Sequence, residues 1–346
     1  MATTADEKWM KLALSEAEKG WGLTAPNPPV GAIIVHNERV VSKGWHAFAG
    51  APHAEIVALE EARKSGQSVE GATLYVTLEP CSTEGRTGAC TEAILSSGIA
   101  RVVWGSTDPH PGHQGNACSI LESEGLTTTA GVAEKECDRI LRGFRSRVQR
   151  GRPWVVGKIA QSLDGRIVRP GDEGQWLTGE SARFQVQMLR AKADAIVTSG
   201  TTIRQDDPSL TLRIPHPYGH KNQPWRIVLS RSGEVPETSR VFNDDWAELT
   251  KLFHVEHPAE VFQELGRMDC NQVLVEAGGQ LLGRLLRDEL IDELIVFSAP
   301  LLCGVGLSSG FSGLGSLPGS IVLDEVKVQA FDQDACVQGL VRYPEP

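Results

Sequence analysis

The sequence predicts an α/β protein of two domains, and three observations carry that expectation. Its 346 residues are about twice the roughly 150 that fill an average domain. Apolar runs of strand length alternate with apolar positions at helical spacing along most of the chain. Near the middle this alternation is interrupted by a basic stretch, RSRVQRGRP, which contains Gly151 and Pro153. The domains are therefore expected at 1–149 and 150–346, the first of them a three-layer α/β domain with partly parallel strands.

In the first domain, Thr4-x-x-Glu7 reads as a capping box before Trp9, Met10, Ala13, Leu14 and Ala17, an amphipathic helix that ends at Gly20. Val30–Val35 and Val40–Val41 flank polar residues and predict a hairpin. Pro52 is placed at the first helical position of a pattern running through Lys64. Thr73–Leu78 reads as a buried strand, Thr91–Ser97 as a short helix, Arg101–Trp104 as a strand and Ala133–Gln149 as a helix. In the second domain, strands are expected at Trp154–Ala160, Ala195–Thr198, Trp225–Leu229, Gln272–Val275 and Glu293–Ser298. Helices are expected at Ser181–Lys192, Pro258–Met268 and Gly279–Leu286. Period-2 texture from Ile321 to Tyr343 predicts a closing antiparallel hairpin.

Composition narrows the functional classes. With 34 Lys+Arg against 44 Asp+Glu, the net charge is −10, which argues against nucleic acid as the main partner. No apolar run approaches the length of a membrane span, and acids sit where a signal peptide would be basic, so a cytoplasmic location is expected and no membrane partner. Seven cysteines, an odd number in a long chain, suit a reducing compartment and point to metal or catalytic use.

Such a use is visible at Pro52-His53-Ala54-Glu55, Glu79-Pro80-Cys81 and Cys90. One imidazole and two thiolates are three ligands for tetrahedral zinc, leaving a fourth position for water, which implies a catalytic metal. Residues i and i+2 of a continuous helix lie about 200° apart, so His53 and Glu55 can converge only at a helix start. The carboxylate then reaches the metal's water without being a ligand. His-x-Glu with Pro-Cys and a second Cys is the arrangement of zinc deaminases, in which the glutamate shuttles protons while an activated water attacks an amidine carbon. Common zinc deaminases have two residues between the cysteines, whereas eight separate Cys81 from Cys90.

At this point the chain resembles a known family. Thr24-Ala25-Pro26-Asn27-Pro28-Pro29-Val30-Gly31, Gly44-Trp45-His46, His53-Ala54-Glu55 and Cys81-Ser82-x-x-Gly85-Arg86-Thr87-x-x-Cys90 look like the deaminase half of the bifunctional riboflavin-biosynthesis deaminase/reductases. Thr83-Glu84 and Gly88-Ala89 depart from the histidines and prolines usual in that loop and leave the ligands intact. Asn27, His46 and the loop 82–87 would border the pyrimidine and its ribose phosphate.

The second domain has no Gly-x-Gly-x-x-Gly fingerprint; Gly304-Val305-Gly306 lacks the third glycine and the strand–turn–helix context. Val275-Glu276-Ala277-Gly278-Gly279 instead joins a strand directly to a helix and presents backbone N–H groups to an anion. The resemblance continues through Lys158-x-x-x-Ser162-Leu163-Asp164-Gly165-Arg166, Gln175-Trp176, Asp206-Asp207-Pro208-x-Leu210-Thr211-x-Arg213, Glu276–Gly279 and Asp292–Ile295. These motifs are similar to the reductase half, with a dihydrofolate-reductase-like fold that uses NADPH, following a cytidine-deaminase-like first domain.

Carried over by position, the resemblance implies cofactor contacts at Ala160, Trp176, Thr202, Asp206, Ser230 and the turn Gly278, Gly279, Gln280, Leu281, Leu282, Gly283 and Arg284. Substrate contacts are implied at Gly174, there through backbone, and at Arg190, Leu210, Arg213 and Glu276, with forked guanidinium groups suited to a phosphate. Hydride transfer needs no protein nucleophile, and the roles of Lys158 and Asp164 stay open.

The expected function is therefore bifunctional: Glu55 serving a zinc-dependent deamination of a phosphorylated pyrimidine, then an NADPH-dependent reduction of the ribosyl unit to ribityl, with one Zn²⁺ per chain. A nucleoside or tRNA deaminase with an accessory domain is the alternative, against which the acidic charge and the reductase motifs argue. The resemblance leaves a homo-oligomer open.

Overall fold

The computed structural model describes residues 3–82, 88–112, 114–171, 173–174, 176–304 and 308–344. The chain divides into two compact units, Met1–Gly151 with His216–His220, and Arg152–Pro215 with Lys221–Pro346. The break thus falls two residues beyond 149. A five-residue piece of the second half, which no sequence signal singles out, joins the first unit.

In the first unit, α1 (Thr4–Ala17) leads into the hairpin β1 (Gly31–His36) and β2 (Arg39–Trp45). Then come α2 (Ala54–Lys64), β3 (Thr73–Leu78), α3 (Cys90–Leu95), β4 (Arg101–Ser106), α4 (Asn116–Ser123), β5 (Thr127–Thr129) and α5 (Glu134–Arg150). The sheet runs β2-β1-β3-β4-β5, antiparallel across the first three strands and parallel across the last three. Alternate side chains of each strand enter different cores. Ala32, Ile34, Leu74 and Val76 pack with Ala54 and Ala58 of α2 and Leu121 of α4. Ile33, Val35, Tyr75 and Val103 meet Trp9 and Met10 of α1 and Cys137 of α5. Two helical layers enclosing one sheet are the three-layer arrangement the alternation predicts.

Some boundaries differ from the sequence reading for identifiable reasons. The capping box lies one residue earlier: the Thr3 hydroxyl accepts from the Asp6 amide, and the Asp6 carboxylate accepts from the Thr3 amide at 2.9 Å. Tertiary contacts select that register, because Asp6 also takes the Tyr75 hydroxyl and both ends of the Arg101 guanidinium. Pro52 is not the first helical residue; His53 is the extended residue that caps α2. The short α4 and β5, too brief for a periodicity signal, are elements the sequence reading did not contain.

The second unit runs β6 (Trp154–Ser162), α6 (Glu180–Lys192), β7 (Ala195–Ser199), α7 (Gly200–Asp206), β8 (Trp225–Ser230), α8 (Arg240–Asn243) and β9 (Thr250–His254). It continues with α9 (Pro258–Arg267), β10 (Gln272–Glu276), α10 (Gly279–Arg287), β11 (Glu293–Ala299), β12 (Val322–Phe331) and β13 (Asp334–Arg342). Eight strands form one sheet in the order β12-β13-β11-β6-β10-β7-β8-β9, parallel from β11 to β9, with the predicted tail hairpin antiparallel at one edge. Phe262 and Leu265 of α9 and Leu282 and Leu285 of α10 cover Val155, Val197, Ile227 and Val275 on one face. Ala182 of α6 packs with Val156 and Leu274, and Ile203 of α7 with Ile196 and Val228, in separate cores. The unforeseen α7, α8 and β9 are again short elements stabilised by this packing. Among the described residues no helix is long and apolar enough to cross a membrane.

Candidate active sites

In the first unit three elements deliver one cluster. His53 caps α2, Cys81 follows the end of β3, and Cys90 opens α3 rather than preceding it. The His53 Nδ1 atom lies 3.1 Å from the Cys90 Sγ and 3.5 Å from the Cys81 Sγ, and all three ligand atoms fall within 4.8 Å of one another. Zinc bonds of about 2.0–2.1 Å to nitrogen and 2.3 Å to sulfur span tetrahedral edges of about 3.6 Å, so this donor set fits zinc by size and chemistry. A hydrogen bond from the Cys90 side chain, with the His53 imidazole, draws the Cys81 thiol down despite burial, which favours the thiolate a metal requires.

Glu55, on the first turn of α2 and 4% exposed, is carried by the helix start beside these ligands. Burial pushes its carboxyl up and nearby Cys81 adds to this, while His53 acts in the opposite direction. A carboxyl so placed is suited to take up a proton and give it back. His46 is buried behind His53, the two rings edge to face at 5.6 Å. One of its nitrogens faces the Pro52 carbonyl at 3.0 Å and the other the Asn27 amide at 3.0 Å. Burial holds His46 below its ordinary value, so a neutral ring that donates to Pro52 and accepts from Asn27 accounts for both contacts. The structure therefore brings Asn27, His46, His53 and Glu55 together. Of the inter-cysteine loop, only Ser82, Gly88 and Ala89 fall within the described residues.

Glu79, which precedes the Pro80-Cys81 pair, is an anchor that sequence reasoning missed. Its buried carboxylate accepts the backbone N–H groups of Asp108, Gly115 and Ala117 at 3.1–3.2 Å, tying the segment before α4 to the end of β3.

In the second unit a cleft of about 850 Å³ opens beyond the carboxyl ends of β7, β8 and β10, the usual ligand position of parallel α/β sheets. Thr202, Ser230, Gly278, Gly279, Gln280, Leu281 and Arg284 line it. Arg204, Arg231, Val255–Pro258 and Ser308 line it too and were not foreseen; their positions after strand ends are the signal that could have found them. Ser199 caps α7, its hydroxyl accepting from the Thr202 amide at 3.0 Å.

Other expected contacts lie elsewhere. Leu282 is fully buried in the core beneath α10, and a side chain at Gly283 would strike the Gly313–Leu314 backbone, so neither lines the cleft. Nor do Ala160, half-buried on β6, or Asp206, exposed at the end of α7. Trp176 is 55% exposed, with the Arg183 guanidinium 5.6 Å from its ring centre. Gly174, at φ +97°, has open space around it, and Gln175 and Gly306 lie outside the described residues.

Gly279 is glycine for a reason other than cofactor approach. A Cβ there would lie 2.0 Å from the Ser309 carbonyl oxygen, so this position is closed by the protein's own backbone. Gly278, whose nearest neighbour would be Ile167 at 3.8 Å, is the glycine with room beside it.

At the carboxyl end of β10, Arg190 grips Glu276 bidentately at 2.6 and 3.0 Å and donates to the Thr211 carbonyl at 2.8 Å. Burial pushes the Glu276 carboxyl up, but Arg190, Lys158 and Arg213 outweigh it and hold the group below its ordinary value. Lys158 is opposite Glu276 in the β6–β10 register. Burial lowers its ammonium group, partly offset by Glu276. Arg190 is thus occupied by protein, which leaves exposed Arg213, bonded through Nη2 to the Ser209 hydroxyl at 3.1 Å, as the guanidinium with donors to spare. Leu210 is 3% exposed, packed among Ile196, Ile203, Val228 and Val241, so only its backbone can meet a ligand. Asp164 accepts from Ser162, Cys303 and Gly304, which makes it a tie for the 303–304 segment.

A zinc-ligand cluster with a buried glutamate on a three-layer unit, followed by a parallel-sheet unit with a cleft at its strand ends, defines a two-domain deaminase of cytidine-deaminase type fused to a reductase-type domain. Residues 3–106 match the cytidine and deoxycytidylate deaminase zinc-binding region, and residues 153–337 match the RibD C-terminal domain. The chain belongs to the RibD family of riboflavin biosynthesis proteins. It is 38% identical to riboflavin biosynthesis protein RibD of Escherichia coli K12, covering 91% of this chain and 92% of that protein. For the Aquifex aeolicus RibD the identity is 35%, over 97% and 99%. Among solved structures, Acinetobacter baumannii RibD superposes with a TM-score of 0.86 at 32% identity, covering 98% of this chain and 99% of that one. A Thermotoga maritima diaminohydroxyphosphoribosylaminopyrimidine deaminase/5-amino-6-(5-phosphoribosylamino)uracil reductase gives 0.88 at 32%, with the same coverage.

Proposed function

We propose that this chain catalyses two consecutive reactions of riboflavin biosynthesis. The first unit hydrolytically deaminates 2,5-diamino-6-(5-phosphoribosylamino)pyrimidin-4(3H)-one. The second reduces the ribosyl unit of the product to ribityl with NADPH. The observation that carries this reading is the convergence of His53, Cys81, Cys90 and buried Glu55 in a chain whose second unit has a cleft walled by the Gly278 turn.

His53, Cys81 and Cys90 would hold zinc, which when bound makes water a nucleophile at neutral pH. Glu55 takes the first proton that water loses and passes it to the pyrimidine ring nitrogen, then carries the remaining hydroxyl proton to the departing amino group, which leaves as ammonia. Asn27 and His46, tied to each other and to Pro52, orient the ring. In the second unit, backbone N–H groups at Gly278–Gln280 and the arginines of the cleft bind the cofactor's phosphates. NADPH supplies the hydride, and the protein positions the ribosyl carbon against it. Arg213 grips the substrate phosphate, while Glu276 and Lys158, half-buried beside Arg190, form a charged floor.

The test is one purified chain, zinc-loaded, in which ammonia release and NADPH oxidation are followed together. Both signals are expected, with ammonia first; NADPH oxidation without ammonia release, or the reverse, would refute a bifunctional enzyme.

A further inference from the structure

The loop after α7, residues 207–213, belongs to no regular element, and two of its residues hold backbone conformations rare for side-chain-bearing residues, φ +41° at Asp207 and +50° at Leu210. Side chains from other elements keep it in this shape. Arg226 donates to the Ser209 carbonyl at 3.0 Å and Arg190 to the Thr211 carbonyl at 2.8 Å. Both guanidinium groups are neutralised by a bidentate carboxylate, Asp244 for Arg226 and Glu276 for Arg190.

At its start Asp207 accepts from the Arg240 N–H at 2.8 Å, and at its end two ties are neutral amides. The Gln223 carboxamide accepts from the Leu212 N–H at 2.7 Å and donates to the Leu212 carbonyl at 2.9 Å. It thereby replaces the strand that would otherwise pair with this residue, since a carboxamide offers donor and acceptor side by side as a peptide does. The Gln187 Oε1 atom of α6 accepts from the Arg213 N–H at 2.8 Å. The Leu212–Arg213 peptide is thus held on both its carbonyl and its N–H by carboxamides, which bring no charge, and the Thr211–Leu212 peptide by Gln223 together with the neutralised Arg190. A carboxylate doing the same work would draw the Arg213 guanidinium away from an anionic ligand.

We propose that Gln223 and Gln187 are positioning residues of the reductase half: they order the Leu212–Arg213 backbone in advance, so that Arg213 is presented to the phosphorylated substrate. This rests on the reading of Arg213 as a substrate contact. Ordering the loop before binding removes a cost that would otherwise weaken affinity. A rigid loop with no bearing on Arg213 would instead affect folding, cofactor and substrate alike.

The experiment is a double-mutant cycle in the full chain, using the pre-deaminated pyrimidine and NADPH. Gln223→Ala should raise the KM for the pyrimidine about tenfold and leave NADPH affinity, ammonia release and melting temperature near those of the parent. Arg213→Ala should raise the same KM further. In the double variant the KM should equal that of Arg213→Ala alone, because a positioning residue has nothing left to position. Multiplying effects, an unchanged KM in Gln223→Ala, or a parallel loss of NADPH affinity would each overturn the proposal. If Gln223→Ala fails to fold, the same cycle with Gln187→Ala on α6 decides the matter by the same criteria. An Arg213→Ala variant with normal KM would overturn the reading of Arg213 itself and this inference with it. A damaged Arg213→Ala beside a neutral Gln223→Ala would overturn the inference alone.

Discussion

The metal cluster of the first unit and the cleft of the second both lie beyond carboxyl ends of strands, in a five-stranded and an eight-stranded sheet, but they are made of different material. The cluster is a set of side chains whose chemistry is specific: one imidazole, two thiols and a buried carboxyl, within a few ångströms. The cleft is lined by serines, threonines, glycines and arginines, with apolar residues such as Leu229, Val255 and Leu281 among them. A site of the first kind announces itself by residue type and spacing. A site of the second kind depends on where the backbone goes, and its residue types occur in any turn.

The difference can be tested by breaking each site in its own terms. The largest effect is expected for Glu55→Gln, which keeps the shape and removes the proton shuttle. Ammonia release should fall by about 10²–10⁴-fold while zinc content and reduction of pre-deaminated substrate persist. Equal loss of both activities would show that the two sites are not separate. For the metal, Cys81→Ser should lose most of its zinc by elemental analysis, since two remaining ligands cannot complete the tetrahedral shell; full retention would remove Cys81 from the ligand set.

The backbone-built cleft is probed by its two adjacent glycines. In Gly278→Val the new side chain projects where Ile167 is the nearest neighbour, so the protein should fold and NADPH should bind about 10–100-fold more weakly, as calorimetry would read. Normal affinity would place the cofactor phosphates elsewhere. Gly279→Val should instead lower the melting temperature, because its Cβ collides with the Ser309 carbonyl; a variant as stable as the parent would contradict that packing.

A further effect, on stability alone, is expected away from both sites. Burial pushes the Asp6 carboxyl up, but the Arg101 guanidinium, the Tyr75 hydroxyl and Thr3 outweigh it and leave the group well below its ordinary range. A lowered carboxylate contributes stability that is complete above the unfolded value of about 3.9 and is lost as pH falls below it. Asp6→Asn should therefore cost about 1–3 kcal/mol at pH 7 and progressively less below about pH 4. A pH-independent difference in melts would show that the charge of Asp6 is not what holds α1 to β3 and β4.

Much of the scaffold was readable because long elements carry their own periodicity. The strand at Thr73–Leu78 and the tail hairpin appear where alternation and apolar runs predict them. Short elements such as β5, α7 and β9 were not readable, because three to seven residues hold too few periods and their stability comes from packing on neighbours. The capping box shows the same limit at finer scale. Thr4-x-x-Glu7 and Thr3-x-x-Asp6 are equally good local signals, and the choice falls to Asp6 through Arg101 and Tyr75, distant in sequence.

What the sequence by itself determined is a set of chemical groups: an imidazole and two thiols of zinc-ligand type, a carboxyl two residues after the imidazole, and a glycine-rich turn that opens a helix after a strand. Those properties belong to residue types and short spacings, and they survive without knowledge of the fold. Only the tertiary structure decided which of two similar groups is left accessible. It pairs Arg190 with Glu276 and leaves Arg213 exposed, buries Leu210 and Leu282 in the core, and closes Gly279 against Ser309 while leaving Gly278 open. The physical reason is that availability to a ligand depends on what else fills the space around a group, and those neighbours come from segments far away along the chain.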